Sequence, residues 1–444
     1  MSGASLTERF GAFIADPPAI PADVIERAKV SLVHNLVMAL SGRRRETAGH
    51  KAAAAHPGRS TLIASGTMAS ADWAALANGA LFHARSQDDV HLASTSHPGA
   101  PVTAAALAVA EESGSTGGAF LEAVATGYEV LCRVGRDFDQ EVSARGFRAA
   151  AIWGGFGAAA AAARLRGLGA AACGHALALC THQAGGVLQV WREGGPEFPF
   201  HLGFAARNGV VAAELAAAGV SAGRLMLEGP EGLYAAAAGA DRPAREALEG
   251  LGRDWQLREV TVKPYPCCAV LQGPMQVALQ LARELAGRRV RRSSLALSQF
   301  EATFPGIDNA GPHFAGPAAT KMSAQFCLAV AMLDGRLALA DLSRLDDTGI
   351  AELAQRVTVV PDPELQDRQC RLVVEADDGT ALRGGLDGAI GRPSFDEIAS
   401  FALAMADEME MTPAAVERIV HEIAEIDRRD SVGQLVDAIV QRAA

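Results

Sequence analysis

Apolar residues recur at spacings of three and four from 21 to 40 (Val24, Ala28, Leu32, Leu36, Ala39), which predicts an amphipathic helix stopped at Gly42. The same period returns over 70–82, 100–112, 119–134, 149–166, 170–183 and 205–218, between Gly-rich or polar turns. These segments predict one helical domain over 1–256. Near 257 the texture changes: alternation predicts strands at 257–263, 294–302, 356–360 and 370–376, with a helix at 270–286. Asp377-Asp378-Gly379 reads as the turn of a hairpin returning through 381–384. Helical periodicity resumes at 394–409, 413–426 and 432–443, with Thr412-Pro413 and Asp430-Ser431 as N-terminal caps. The predicted fold is mainly α with an α+β part: a discontinuous all-helical domain, 1–256 and 394–444, carrying an α+β domain inserted at 257–393. Such an insertion leaves a cleft, a usual place for a small-molecule site.

Composition supports two domains and narrows the partners. A chain of 444 residues exceeds what one core usually organises, and 49% hydrophobic with only 5% aromatic residues suits closely packed helices. The Ala/Gly run at 149–163 lacks the Lys-Ser/Thr ending and the preceding strand of a phosphate-binding loop, so it reads as a surface for close helix contact and no nucleotide is expected. It is also the longest uncharged stretch and is too short to span a bilayer. Glu8, Arg9 and Asp16 interrupt the first residues, so neither a signal peptide nor a membrane partner is expected and the location is expected to be cytoplasmic. A net charge of -11 without a long basic run argues against nucleic acid, and the clusters at 43–45 and 288–292 read as solvated loop charge. Seven scattered cysteines do not form a disulfide framework, and adjacent Cys267 and Cys268 are poorly placed for a structural zinc, so no metal is predicted.

Two clusters carry candidate chemistry. The first runs from His83 through Asp88, Asp89 and His91 to His97-Pro98-Gly99, just before an apolar helix. An imidazole beside the unpaired N–H groups of a helix start can hold an anion and transfer a proton, or simply cap the helix. The second is Lys263-Pro264-Tyr265-Pro266-Cys267-Cys268, where two prolines stiffen the backbone around an amine, a phenol and two thiols. It reads equally as a preorganised site or as a rigid hinge with buried cysteines.

Both clusters, with Ala77-Asn78-Gly79-Ala80, Gly127-Tyr128-Glu129-Val130, Gly155-Phe156-Gly157-Ala158, Ala205-Ala206-Arg207-Asn208-Gly209, Leu227-Glu228-Gly229 and Asp334-Gly335, resemble the MmgE/PrpD family in order along most of the chain. The resemblance implies a helical domain, an α+β lid domain, a homodimer and a cleft active site. It also implies dehydratase, decarboxylase or epimerase chemistry on a small anionic di- or tricarboxylate, with no organic cofactor.

Matched residue by residue, Asp88, Asp89, His97, His201, Lys263 and Cys267-Cys268 are kept. Ser86 stands where many relatives carry an Asp, Arg148 where they carry a His, Phe198 where they often carry a Lys, and Gln272 where they often carry a His. The leading expectation is a lyase with His97 as general acid/base and Lys263 and Arg148 holding carboxylate or enolate charge. Asp88, Asp89 and His91 would orient the loop, and His201, Tyr265 and Gln272 complete the expected substrate-binding set. Because acids are missing, an epimerase using His97 and either Lys263 or Cys268 on opposite faces is the close alternative. Cys268 would then need its thiolate favoured by nearby positive charge. A non-catalytic, ligand-binding family member is the third reading.

Overall fold

The computed structural model describes residues 3–43, 47–388 and 390–440; Arg44 and Arg45 of the basic cluster and the last residues of the helix expected at 432–443 lie outside them. The chain divides into two units, the first made of Met1–Val187, Pro199–Val262 and Arg392–Ala444, the second of Leu188–Phe198 and Lys263–Gly391.

The first unit is helical. Its opening helix, Leu6–Ala15, was not anticipated, yet Ser5 and Glu8 form a capping box that satisfies its first N–H groups. The expected helices follow as Ala22–Gly42, Ala71–His83, Gly99–Ser113, Gly117–Gly135, Ala149–Leu165, Ala170–Cys180 and Phe200–Ala217. In Ala149–Leu165 every residue through Ala163 is buried, as in a helix enclosed on all sides. A methyl group on Gly209 would come within 2.4 Å of the Ala158 Cβ, so Phe200–Ala217 and Ala149–Leu165 meet almost backbone to backbone. The small-residue run is therefore a packing surface, as read from sequence.

The C-terminal helices Phe395–Ala404, Pro413–Ala424 and Gly433–Val440 return to this unit and place Ile398, Val416, Ile419 and Leu435 in its core. Thr412 Oγ1 accepts the Ala415 N–H at 3.2 Å, and Ser431 Oγ accepts that of Gly433 at 3.0 Å, as capping residues do.

The second unit departs from the expected 257–393 insertion in two places. The strand expected at 257–263 is reduced to Val260–Thr261, which pairs antiparallel with Val90–His91, so the helical unit keeps the chain as far as Val262. Conversely, Leu188–Phe198 joins the second unit because Trp191 and Phe198, rings 5.0 Å apart, are buried in that unit's core.

The second unit is built on a four-stranded sheet in the order Val357–Pro361, Val290–Leu297, Gln369–Ala376, Ala381–Asp387. The first pair is parallel, with Leu295 beside Val359, and the others are antiparallel, with Leu295 beside Leu372 and Val373 beside Arg383. The hairpin at Asp377-Asp378-Gly379 forms as expected, with Gly379 at φ +87°. The strand expected at 294–302 instead ends at Leu297, because the Ser298 hydroxyl accepts the Glu301 N–H and starts the helix Gln299–Thr303. Helix Gln272–Leu285 buries Met275, Val277, Ala278 and Leu281 in the core shared with the sheet. All seven cysteines are free thiols. Among the described residues no helix is long and apolar enough to cross a membrane.

Candidate active site

The segment after Ala71–His83 is a loop by geometry but core by exposure: residues 81–91 are all buried. Buried loop backbone is tolerated only when its polar groups are answered locally. Asp89 does most of this. Its Oδ1 accepts the Gly99 N–H at 2.9 Å, and its Oδ2 accepts the Tyr128 hydroxyl at 2.7 Å and the Asn35 amide at 3.1 Å. The carboxylate thereby caps helix Gly99–Ser113 from outside and ties the loop to Ala22–Gly42 and Gly117–Gly135. Burial outweighs these hydrogen bonds and pushes the Asp89 carboxyl up to about 6. Asp89 thus fixes the His-Pro-Gly turn.

His97, half-buried, bonds through Nδ1 to the Asp89 carbonyl oxygen at 3.0 Å, with an Asp88 oxygen 3.6 Å away. A proton on Nδ1 donated to that carbonyl leaves Nε2 as the basic nitrogen. Asp88 is shared: its two oxygens lie 2.9 and 2.8 Å from His83 Nδ1, and the His83 and His97 rings are 4.9 Å apart. His83 Nε2 in turn meets the Arg148 guanidinium at 2.5 Å. Because arginine can only donate, this nitrogen is the acceptor and His83 carries its proton on Nδ1, toward Asp88.

Arg148 immediately precedes helix Ala149–Leu165 and is held there by its N–H donating to the Gly186 carbonyl at 2.9 Å. Its second terminal nitrogen reaches His201 Nδ1 at 3.3 Å, in the first turn of Phe200–Ala217. Burial, and then the charge of Arg148, push the His201 ring down to about 4, so this imidazole is neutral near pH 7. Residues at the starts of three helices, His97, Arg148 and His201, therefore converge with Asp88 and His83. The dipoles of those helices and a permanent guanidinium together favour an anion.

His91 does not serve this cluster. Its ring turns to the Ser94 hydroxyl at 2.8 Å and its backbone pairs with Val260. Burial, with the nearby Arg136 charge, pushes its ring down to about 3 from an ordinary 6.5. An imidazole depressed in the folded state adds stability fully present above the unfolded value and lost as the pH falls toward the folded one. His91→Gln is accordingly expected to reduce the pH slope of the unfolding free energy by up to about one proton between about pH 4 and 6. Denaturant unfolding at a series of pH values measures this, and an unchanged slope contradicts it.

The second unit gathers the other expected residues. Gln272 is not turned to a substrate: its Oε1 accepts the Tyr265 N–H at 3.1 Å, and its Nε2 donates to the carbonyls of Tyr265 and Cys267, each at 3.0 Å. It staples the Pro-Tyr-Pro-Cys-Cys turn. Lys263 is buried, and Tyr265 is partly so. Cys268 misses the condition set for a base, because burial outweighs the pull of Lys263 and pushes its thiol up to about 11. The adjacent Cys267 is held higher than usual, again by burial first.

His83, Asp88 and His97 offer three ligand atoms within 4.8 Å of one another, a set the sequence reading did not foresee when it expected no metal. A cation there would compete with the His83–Asp88 hydrogen bond and with the adjacent guanidinium, so the arrangement suits proton and anion handling better. His83 opens the polar cluster noted in the sequence but was given no role there. The signal was its place at the end of a helical period five residues before Asp88, in the same polar cluster.

Comparison with known proteins extends over both units. Residues 9–246 match the MmgE/PrpD N-terminal domain and residues 265–400 the MmgE/PrpD C-terminal domain. The chain is similar to the cis-aconitate decarboxylase of Aspergillus terreus (strain NIH 2624 / FGSC A1156), with 29% identity over 405 residues, 84% of this chain and 82% of that protein. It is likewise similar to the cis-aconitate decarboxylase-like protein oryM of Aspergillus oryzae (strain ATCC 42149 / RIB 40), with 28% identity over 399 residues and 82% of each chain.

Proposed function

The chain belongs to the MmgE/PrpD family, and from that premise we propose that it is a lyase that decarboxylates an unsaturated di- or tricarboxylate without an organic cofactor. The observation that carries this reading is the Asp88–His83–Arg148 line with His97 beside it on the same carboxylate. In the proposed reaction a substrate carboxylate rests on Arg148. A second carboxylate leaves as carbon dioxide, its bonding electron pair moving into the adjacent unsaturated system. Protonated His97 delivers the proton that completes the carbon, and solvent returns one to the ring. Asp88 stabilises the imidazolium before transfer, as a buried carboxylate beside a catalytic histidine does.

Two features favour decarboxylation over dehydration. Dehydration needs a base for carbon and an acid for the departing hydroxide, but Ser86 replaces one acid and Arg148 replaces an imidazole. His201 is held neutral and His83 is fixed between Asp88 and Arg148. One-proton chemistry at His97 is what remains. The similarity to cis-aconitate decarboxylases supports the same choice.

Arg148→Lys is expected to raise KM about 10- to 100-fold, because an ammonium cannot span two imidazoles and a carboxylate as a planar fork does. Steady-state kinetics on the accepted substrate measures this. The deciding experiment is incubation with cis-aconitate and a panel of related carboxylates in deuterated water, followed by NMR. Carbon dioxide with one deuterium in the product supports the proposal. Exchange without net product would support an epimerase instead, and silence across the panel would sink both.

A further inference from the structure

The turn that delivers His97 is bent at a residue ill suited to it. Thr95 sits at φ +43° and ψ +43°, in the left-handed region that a β-branched side chain adopts only when its surroundings hold it there. Around it the chain doubles back: His91 and Ser96 exchange backbone hydrogen bonds at 2.9 and 3.1 Å, and the Thr95 N–H donates to the Leu92 carbonyl at 3.1 Å. The tip of the turn reaches the surface, with Ala93 exposed and Thr95 half-buried. From there the Thr95 hydroxyl donates to Asp139 Oδ2 at 2.6 Å.

The acceptor is itself anchored. The Asp137 carboxylate accepts the N–H groups of Arg245, Glu246 and Ala247 at 2.9 to 3.2 Å, and buried Phe138 packs on the Tyr234 ring, 4.6 Å between centres. Asp139 then opens the helix Asp139–Ala144, and the chain passes through Gly146, at φ +86°, into Arg148. One hydrogen bond therefore ties the loop that ends in His97 to the segment that ends in Arg148. Burial pushes the Asp139 carboxyl up to about 6, so near pH 7 it is largely ionised and accepts as a charged partner.

We propose that Thr95 and Asp139 are positioning residues, a side-chain latch that holds the strained turn and so sets where His97 stands relative to Arg148. The latch rests on the reading of His97 as acid/base and Arg148 as carboxylate holder. Without the hydroxyl the turn is free to leave the left-handed region, and His97 moves with it. Because Asp137 and Phe138 keep the Arg148 segment in place, the loss falls on the chemical step rather than on binding.

The test is a double-mutant cycle read by steady-state kinetics. Thr95→Val, which keeps the shape and deletes the hydroxyl, is expected to lower kcat about 10- to 100-fold with KM within about threefold. Asp139→Ala should do the same, and the double variant should fall no lower than the worse single one, because both delete one bond. Thr95→Ser, which keeps the hydroxyl, should stay within about threefold of wild-type kcat. Wild-type kcat in Thr95→Val, an equal loss in Thr95→Ser, or losses that multiply in the double variant would each overturn the latch. Thermal unfolding shows whether each variant is folded, and should Asp139→Ala fail to fold, Thr95→Val against Thr95→Ser decides. A measurement independent of turnover is NMR of the full chain labelled at histidine Cε1, with the His97 signal assigned by its loss in His97→Asn. That signal should move in Thr95→Val and Asp139→Ala and stay in Thr95→Ser. A moved signal with no turnover by wild type leaves the latch standing and the reaction wrong, whereas His97-dependent turnover with an unmoved signal does the reverse.

Discussion

His97→Asn is expected to lower kcat of the proposed reaction by about 10²- to 10⁴-fold and to leave carboxylate affinity within a few-fold, the loss that follows when a positioned acid/base is deleted. Asparagine is chosen because its amide can still donate to the Asp89 carbonyl, as His97 Nδ1 does at 3.0 Å, so the turn before Gly99 keeps its anchor. What disappears is the second ring nitrogen, the one that carries the proton. If kcat in His97→Asn stayed within threefold of wild type, His97 would not be the acid, whatever its place beside Asp88. Single-turnover measurements with a saturating substrate separate the chemical step from binding and release.

Gly99→Ala is expected to be the most damaging single methyl addition in the loop. A Cβ at this position would sit 2.0 Å from the Asn35 amide nitrogen and 2.6 Å from Asp89 Oδ1. Neither neighbour can yield freely: the Asn35 amide spans Asp89 and the Tyr128 hydroxyl, and Asp89 accepts the Gly99 N–H. Overpacking and the rupture of buried hydrogen bonds together are expected to destabilise the fold by on the order of 3 kcal/mol or more. Activity should fall further than stability alone explains, because the same displacement moves His97. Chemical unfolding with a parallel assay measures both, and a loss under about 1 kcal/mol would show that the Asn35–Asp89 knot is pliable.

The helical unit was legible because its helices are long and start and stop with recognisable chemistry, as Thr412-Pro413 and the Ala-rich run before Arg164 illustrate. Short helices were not. Leu6–Ala15 carries a capping box, yet at 10 residues it is too short for its period to stand out. Helix Ala324–Asp334 is buried through Met332, and a segment apolar on every face has no contrast from which a period can be read. The transfer of Leu188–Phe198 to the second unit depends on Trp191 and Phe198 packing with residues far along the chain, which no local pattern encodes.

For the site, residue types were readable and partnerships were not. Asp88, His97, Arg148 and His201 were singled out, but their meeting depends on the ends of separate helices. The partners of three further residues were equally unreadable. His91 belongs to Ser94, Gln272 to its own backbone turn, and Cys268 to a setting that keeps its thiol protonated.

The contact between Gly209 and Ala158 has a further meaning. Where helices touch through hydrogens and methyl groups alone, no long side chain is available to absorb a change in spacing. The helix from Ala149 thus behaves as a stiff rod that carries Arg148 at its tip. Adding volume midway along it, as at Gly209 opposite Ala158, is therefore expected to displace the guanidinium at its end, so the proposed reaction is open to retuning by substitutions that never approach a substrate.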